Sequence, residues 1–167
     1  MPNEKKLIRL PFTKRPVKLA VFERPEYRED LELMNSSQVV FDTFKDYSKA
    51  GTEFFCVIYL DPKNQVIEVV EASEGTIDTA AVYPREIMKA ALILGAASII
   101  VFHNHPSGDP EPSLCDKEIT KEIVGAGKLL QVRVLDHVII GRNKFYSFAD
   151  HGLIDDYENI WAGRWGN

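Results

Sequence analysis

The chain has 167 residues, 45% of them hydrophobic, with a formal net charge of −5. That length favours one domain, and the apolar fraction is ordinary for a globular protein with a core. No apolar run is long enough to cross a bilayer, the charged amino terminus lacks a signal-peptide core, and the two cysteines, Cys56 and Cys115, offer no disulfide framework. The expected location is therefore cytoplasmic.

Residues 1–35 read as an extended, peripheral arm, with Pro2, Pro11, Pro16 and Pro25. Lys5, Lys6, Arg9, Lys14, Arg15 and Lys18 against Glu4 give residues 1–18 a charge of +5, which leaves −10 for the rest. A basic arm on an acidic body points to nucleic-acid contact, but Phe12 is its one aromatic near those charges, and a solvated terminus is the safer reading.

Ser36 or Ser37 then caps a helix with Val40, Phe44 and Tyr47 on its apolar stripe, ended by Gly51. Glu53 to Leu60 is apolar after its first residue and reads as a central strand. A turn at Asp61-Pro62-Lys63-Asn64 leads to a second strand, Val66 to Val70, and a loop from Glu71 to Val82. Pro84 and Gly95 bracket a second helix, Arg85 to Leu94. Ser98 to Phe102 is an apolar, β-branched run that reads as a buried strand. A third helix follows from Ser113 to about Leu130, then strands near Val132–Ile140 and Phe145–Phe148. Trp161 and Trp165, four apart, suit a last short helix docked on the core. The expected fold class is α/β, a mixed sheet flanked by helices. The expected organisation is an arm (1–35), one domain (36–154) and a carboxy-terminal tail (155–167).

The most informative stretch follows the buried strand: His103-Asn104-His105, then seven residues, then Ser113-Leu114-Cys115-Asp116. Side chains alternate across a strand, so His103 and His105 share a face and Asn104 points away as a loop anchor. A carboxylate returned by the next turn, Asp116, would complete a three-ligand site. Zinc with three protein ligands keeps a fourth position for water, the arrangement of a catalytic site. A blander reading stands beside it. Ser113 is also a good N-cap and Asp116 a good first-turn acid, and both readings can hold together because capping fixes the side chains that the chemistry needs. Cys115 is read as a packing residue, His137 as a structural histidine behind the site, and His151 as exposed.

His103-x-His105-(seven residues)-Ser113-x-x-Asp116 resembles the JAMM motif of the JAB/MPN metalloprotease superfamily, and the longer string HNHPSGDPEPSLCD resembles its RadC-like branch. Tyr83-Pro84-Arg85-Glu86, Glu74-Gly75-Thr76-Ile77, Leu135 to Gly141 and Phe145 to Ala149 support it, over about Ser36 to Ile154. The helix-hairpin-helix region of full-length RadC proteins has no counterpart here, so DNA binding credited to that region does not carry over. The resemblance implies a JAB/MPN-like (cytidine-deaminase-like) fold and a zinc metallopeptidase, with Zn2+ on His103, His105 and Asp116.

Cleaving an amide also needs a group that takes and returns protons. The upstream candidates are Glu53, Glu68, Glu71 and Glu74. The residues themselves slightly favour Glu53, the one charge at the head of an apolar strand. The family pattern favours it further, because the JAMM glutamate opens the strand after the first helix; Glu74 is the runner-up. The resemblance gives Ser113 the role of oxyanion donor, an effect worth about 3 kcal/mol for comparable donors. Three functions compete on this reading: a zinc hydrolase cleaving a peptide or isopeptide bond in a peptide or protein substrate, a DNA-repair-associated nucleic-acid module, and a non-catalytic JAB/MPN scaffold. The intact motif counts against the scaffold, and the acidic body counts against dedicated DNA binding.

Overall fold

The computed structural model describes residues 31, 33–75 and 82–165. Residues 1–30 and 32, with the basic stretch and its expected nucleic-acid contact, and residues 76–81, 166 and 167 lie outside the described residues, as does the side chain of Trp165. Met34, within the expected peripheral arm, is instead buried in the core.

Helix α1 (Ser37–Phe44) is capped by the Ser36 hydroxyl, which accepts from the Val39 N–H at 3.2 Å. The chain then tightens into a 3-10 turn over Lys45–Lys49 instead of continuing as one helix to Gly51. That geometry places residues three apart on one edge, so Phe44 and Tyr47 both reach Phe102, at centroid distances of 4.4 and 5.3 Å. Strands β1 (Phe54–Leu60) and β2 (Val66–Glu74) form an antiparallel hairpin. Strand β2 runs four residues further than its apolar pattern suggests. Glu71, Ser73 and Glu74 are polar edge residues, yet their backbones pair with Cys56, Phe55 and Phe54.

Helix α2 (Pro84–Leu94) starts with proline at its first turn and stops at Gly95, whose φ of 65° is the left-handed conformation that glycine adopts without a Cβ clash. Strand β3 (Ser98–Asn104) is buried at every residue. It pairs antiparallel with β1 and parallel with β4 (Arg133–Ile140). A parallel pair needs a crossover, and α3 (Leu114–Leu130) supplies it. Strand β5 (Phe145–Ser147) closes the order β2-β1-β3-β4-β5, and α4 (Leu153–Trp165) follows. This is the mixed α/β sheet flanked by helices that the sequence predicts.

Alternation sorts the sheet into two cores. Phe55, Val57, Tyr59, Ile99 and Val101 pack with residues of α2, α3 and α4. Cys56, Ile58, Leu60, Ile100 and Phe102 pack with Val40 and Phe41 of α1. His103 has the parity of Ile99 and Val101, so it faces the α3 side; Asn104 faces the α1 side. Among the described residues, no helix is long and apolar enough to cross a membrane.

Helix α4 docks through Trp161, whose indole N–H donates to the Lys121 carbonyl at 2.9 Å and whose ring lies against Gly125 of α3. A Cβ at Gly125 would overlap that ring. Gly125→Ala is expected to destabilise by about 1–3 kcal/mol, the usual cost of overpacking. A second change, Trp161→Ala, should make the Gly125 substitution nearly neutral; additive losses in melting temperature would refute the contact.

Asp136 is buried in β4. Its Oδ1 accepts from the N–H groups of His137 and Ala149 at 2.7 and 2.9 Å, and its Oδ2 from the Ser147 hydroxyl at 2.6 Å. Burial pushes its carboxyl up to about 6 despite those hydrogen bonds. A group raised in the folded state favours folding below its unfolded pKa and loses that contribution as pH rises through the folded value. Wild-type stability should therefore fall between about pH 4 and 6 through this residue, by about 3 kcal/mol. Asp136→Asn should lack that slope in urea unfolding; parallel pH profiles would contradict the assignment.

Candidate metal centre

The site is built at the carboxyl end of β3 by the capped start of α3. Ser113 is extended (φ −70°, ψ 169°) and forms a reciprocal capping box with Asp116. The Ser113 hydroxyl oxygen accepts from the Asp116 N–H at 3.1 Å, while Asp116 Oδ2 accepts from the Ser113 N–H at 2.8 Å and hydroxyl at 2.7 Å. The cap thus holds the Asp116 side chain against the sheet, and the carboxylate is buried with 4% of its side chain exposed.

His103, His105 and Asp116 converge. His103 Nε2 lies 3.0 Å from His105 Nε2 and 3.2 Å from Asp116 Oδ1, and His105 Nε2 lies 3.4 Å from Asp116 Oδ2. A tetrahedral ion with ligands at about 2.0–2.1 Å sets those ligands about 3.3 Å apart, so the spacing fits a divalent metal. These three residues could hold a metal ion. His105 is on the open side, with 14% of its side chain exposed against 0% for His103.

The electrostatics agree with a site arranged for positive charge. Burial opposes ionisation of Asp116, but His103 and His105, which in their protonated forms donate to it from Nε2, the His103 charge and the Ser113 hydroxyl outweigh it and hold the carboxyl well below its usual range. Burial also opposes protonation of His105. The Asp116 hydrogen bond, the Asp109 carbonyl, and the charges of Asp116 and Glu53 overcome it and raise His105 above the ordinary imidazole value.

Both imidazoles are held from behind. His105 Nδ1 is 2.7 Å from the Asp109 carbonyl, which only accepts, so the neutral ring carries its hydrogen on Nδ1 and turns its Nε2 lone pair to the ligand position. His103 Nδ1 is 2.7 Å from Nε2 of His137, and His137 Nδ1 is 2.6 Å from the Thr120 hydroxyl. His137 is fully buried against Phe148, with ring centroids 4.8 Å apart. Burial and the His103 charge hold it well below the ordinary value. Thr120 carries no motif signal in the sequence. Its one clue is that it lies four residues after Asp116, on the same helix face.

The glutamates separate by face. Phe55 pairs with His103, so the register continued by two residues sets Glu53 opposite His105, consistent with its charge acting there. Asn104 grips the chain on both sides of Glu53. Its Oδ1 accepts from the Phe54 N–H at 2.8 Å and its Nδ2 donates to the Thr52 carbonyl at 2.9 Å. Glu74 pairs with Phe54, which packs towards the α1 side, so it is directed away from His103. Glu71 accepts from the Tyr47 hydroxyl at 2.6 Å, and Glu68 pairs with Tyr59, towards the far end of β1. Ser113 sits beside Asp116 with its hydroxyl directed to Oδ2. Cys115 is half-buried, Cys56 is buried, and His151 is exposed with its ring stacked on Tyr146 at 4.0 Å.

Residues 34–153 match the model of the RadC-like JAB domain. A UPF0758 protein of Vibrio cholerae is 50% identical over 102 residues, covering 61% of this chain and 64% of that protein. A UPF0758 protein of Geotalea uraniireducens is 43% identical over 130 residues, 75% of this chain and 56% of its own length. A third, of Pasteurella multocida, is 41% identical over 131 residues, 76% and 58% respectively. The matches thus span less than two thirds of each of these relatives. With the matched region containing the whole β3–α3 site, this chain belongs to the RadC-like JAB domain family.

Proposed function

We propose that the chain is a zinc-dependent metallohydrolase that cleaves a peptide or isopeptide bond of a peptide or protein substrate. The observation that carries this reading is the convergence of His103, His105 and Asp116 at tetrahedral ligand spacing, with the Glu53 charge acting on His105. Two imidazoles and one carboxylate form a nitrogen/oxygen donor set that suits zinc. A bound zinc ion would supply positive charge that polarises the scissile carbonyl and acidifies water.

The chain's own residues do the rest. Glu53 takes a proton from the attacking water as its oxygen bonds to the carbonyl carbon. It returns that proton to the nitrogen as the C–N bond breaks, leaving a carboxyl group and an amine. Asn104 fixes the backbone on each side of Glu53, so the carboxylate is presented from a rigid strand head. Ser113 is the oxyanion donor in this reading, its hydroxyl turning from Asp116 Oδ2 to the charge developing on the carbonyl oxygen. The exposed side of His105 is the approach for substrate. Both cysteines are free, which supports action in a reducing, cytoplasmic compartment.

The test is a panel of peptide and isopeptide conjugates offered to the zinc-loaded chain with and without a chelator. Chelator-sensitive cleavage is expected. Cleavage that persists in the metal-free protein would refute a metallohydrolase, and tight DNA binding at moderate salt without cleavage would favour the nucleic-acid function instead.

A further inference from the structure

Behind the ligand triad runs a buried hydrogen-bonded chain whose direction can be worked out by counting hydrogens. Thr120 Oγ1 is 2.5 Å from the Asp116 carbonyl oxygen and 2.6 Å from His137 Nδ1. A carbonyl only accepts, so the single hydroxyl hydrogen of Thr120 goes to Asp116. His137 Nδ1 must then be the donor to Thr120. A neutral imidazole carries one N–H, which leaves His137 Nε2 as an acceptor. The 2.7 Å contact between His137 Nε2 and His103 Nδ1 therefore takes its hydrogen from His103. With its hydrogen on Nδ1, His103 presents a lone pair from Nε2 towards His105 and Asp116.

The opposite direction would be self-defeating. A hydrogen on His137 Nε2 would be donated to His103 Nδ1, moving the His103 hydrogen to Nε2, where it would point into the ligand position. The surroundings of His137 make the choice specific. Its ring is boxed by Phe55 and Phe148, at centroid distances of 5.7 and 4.8 Å, a setting that an apolar side chain would fill. Its two nitrogens nevertheless each meet one polar partner.

We infer that Thr120 and His137 are positioning residues that lock His103 in the Nδ1–H tautomer, so that one turn of α3 supplies the Asp116 ligand and sets the lone pair of the His103 ligand. This inference rests on the metal-site reading above. It assigns Thr120 a role that its place outside the His-x-His and Ser-x-x-Asp motif would not suggest.

The experiment uses the full chain, its Thr120→Val variant and its Thr120→Ser variant. With four histidines in the sequence, long-range proton–nitrogen spectra of the metal-free protein can report each ring tautomer. The wild type should show hydrogen on Nδ1 of both His103 and His137. Thr120→Val should disturb that pattern and weaken zinc binding, measured by chelator competition, by about 10–100-fold, the usual effect of losing such a partner. Thr120→Ser, which keeps the hydroxyl, should restore most of the affinity. A wild-type His103 with no hydrogen on Nδ1 overturns the inference without any variant. A wild type that binds zinc with a folded Thr120→Val of equal affinity overturns this inference alone. A wild type that takes up no zinc overturns the metal reading and this inference with it.

Discussion

Glu53→Gln is expected to give a folded, zinc-binding protein whose hydrolysis is lower by about 10²–10⁴-fold, the range for removing a general acid–base group. Glutamine fills the same space at the head of β1 but cannot accept a proton from water at neutral pH. Because the strand head is held through Asn104 contacts to Thr52 and Phe54, the backbone should not move. Ser113→Ala should slow turnover less completely, since the carbonyl remains polarised, and it should also cost the cap that Ser113 gives α3. Turnover numbers with the most reactive conjugate, with zinc content measured on the same samples, check both variants. A Glu53→Gln protein cleaving at the wild-type rate would mean the proton carrier lies elsewhere.

Asp116→Ala should abolish stoichiometric zinc binding and also destabilise the metal-free protein. The residue offers an oxygen to the ligand position and accepts two hydrogen bonds from Ser113 in the capping box. Losing the cap contribution alone is worth about 1 kcal/mol, or about 2–4 °C in a chain of this size. Asp116→Asn separates the two roles, because an amide oxygen still accepts from Ser113 but carries no charge. It should keep most of the stability and bind zinc weakly. Equal zinc affinity in wild type and Asp116→Asn, from calorimetric titration, would remove the carboxylate from the site.

The legible parts of the fold and site were those fixed by local pattern. The buried run Ser98–Phe102 and the period of two after it put His103 and His105 on one face before any contact was known. The Ser113 cap was legible for the same reason, since capping chemistry depends on residues three apart. Strand β2 beyond Val70 was not legible because Glu71 to Glu74 are polar and pair only through backbone. The separation of Glu53 from Glu74 needed the hairpin register, which is broken between Phe55 and Cys56 and again between Tyr59 and Leu60. Counting back from the turn cannot assign a face across two such irregularities. Thr120 escaped because its partner, His137, is distant in sequence and comes within 2.6 Å only after α3 crosses over the sheet.

Binding of one divalent metal ion by His103, His105 and Asp116 is tested most directly by zinc titration of the full chain beside its His105→Ala variant, with metal content determined on both. One zinc is expected per wild-type chain and little or none in His105→Ala, with unchanged circular dichroism because the buried strand holds His103 without its neighbour. A wild-type chain that binds no divalent metal, or a His105→Ala chain that binds zinc as tightly as wild type, would contradict it.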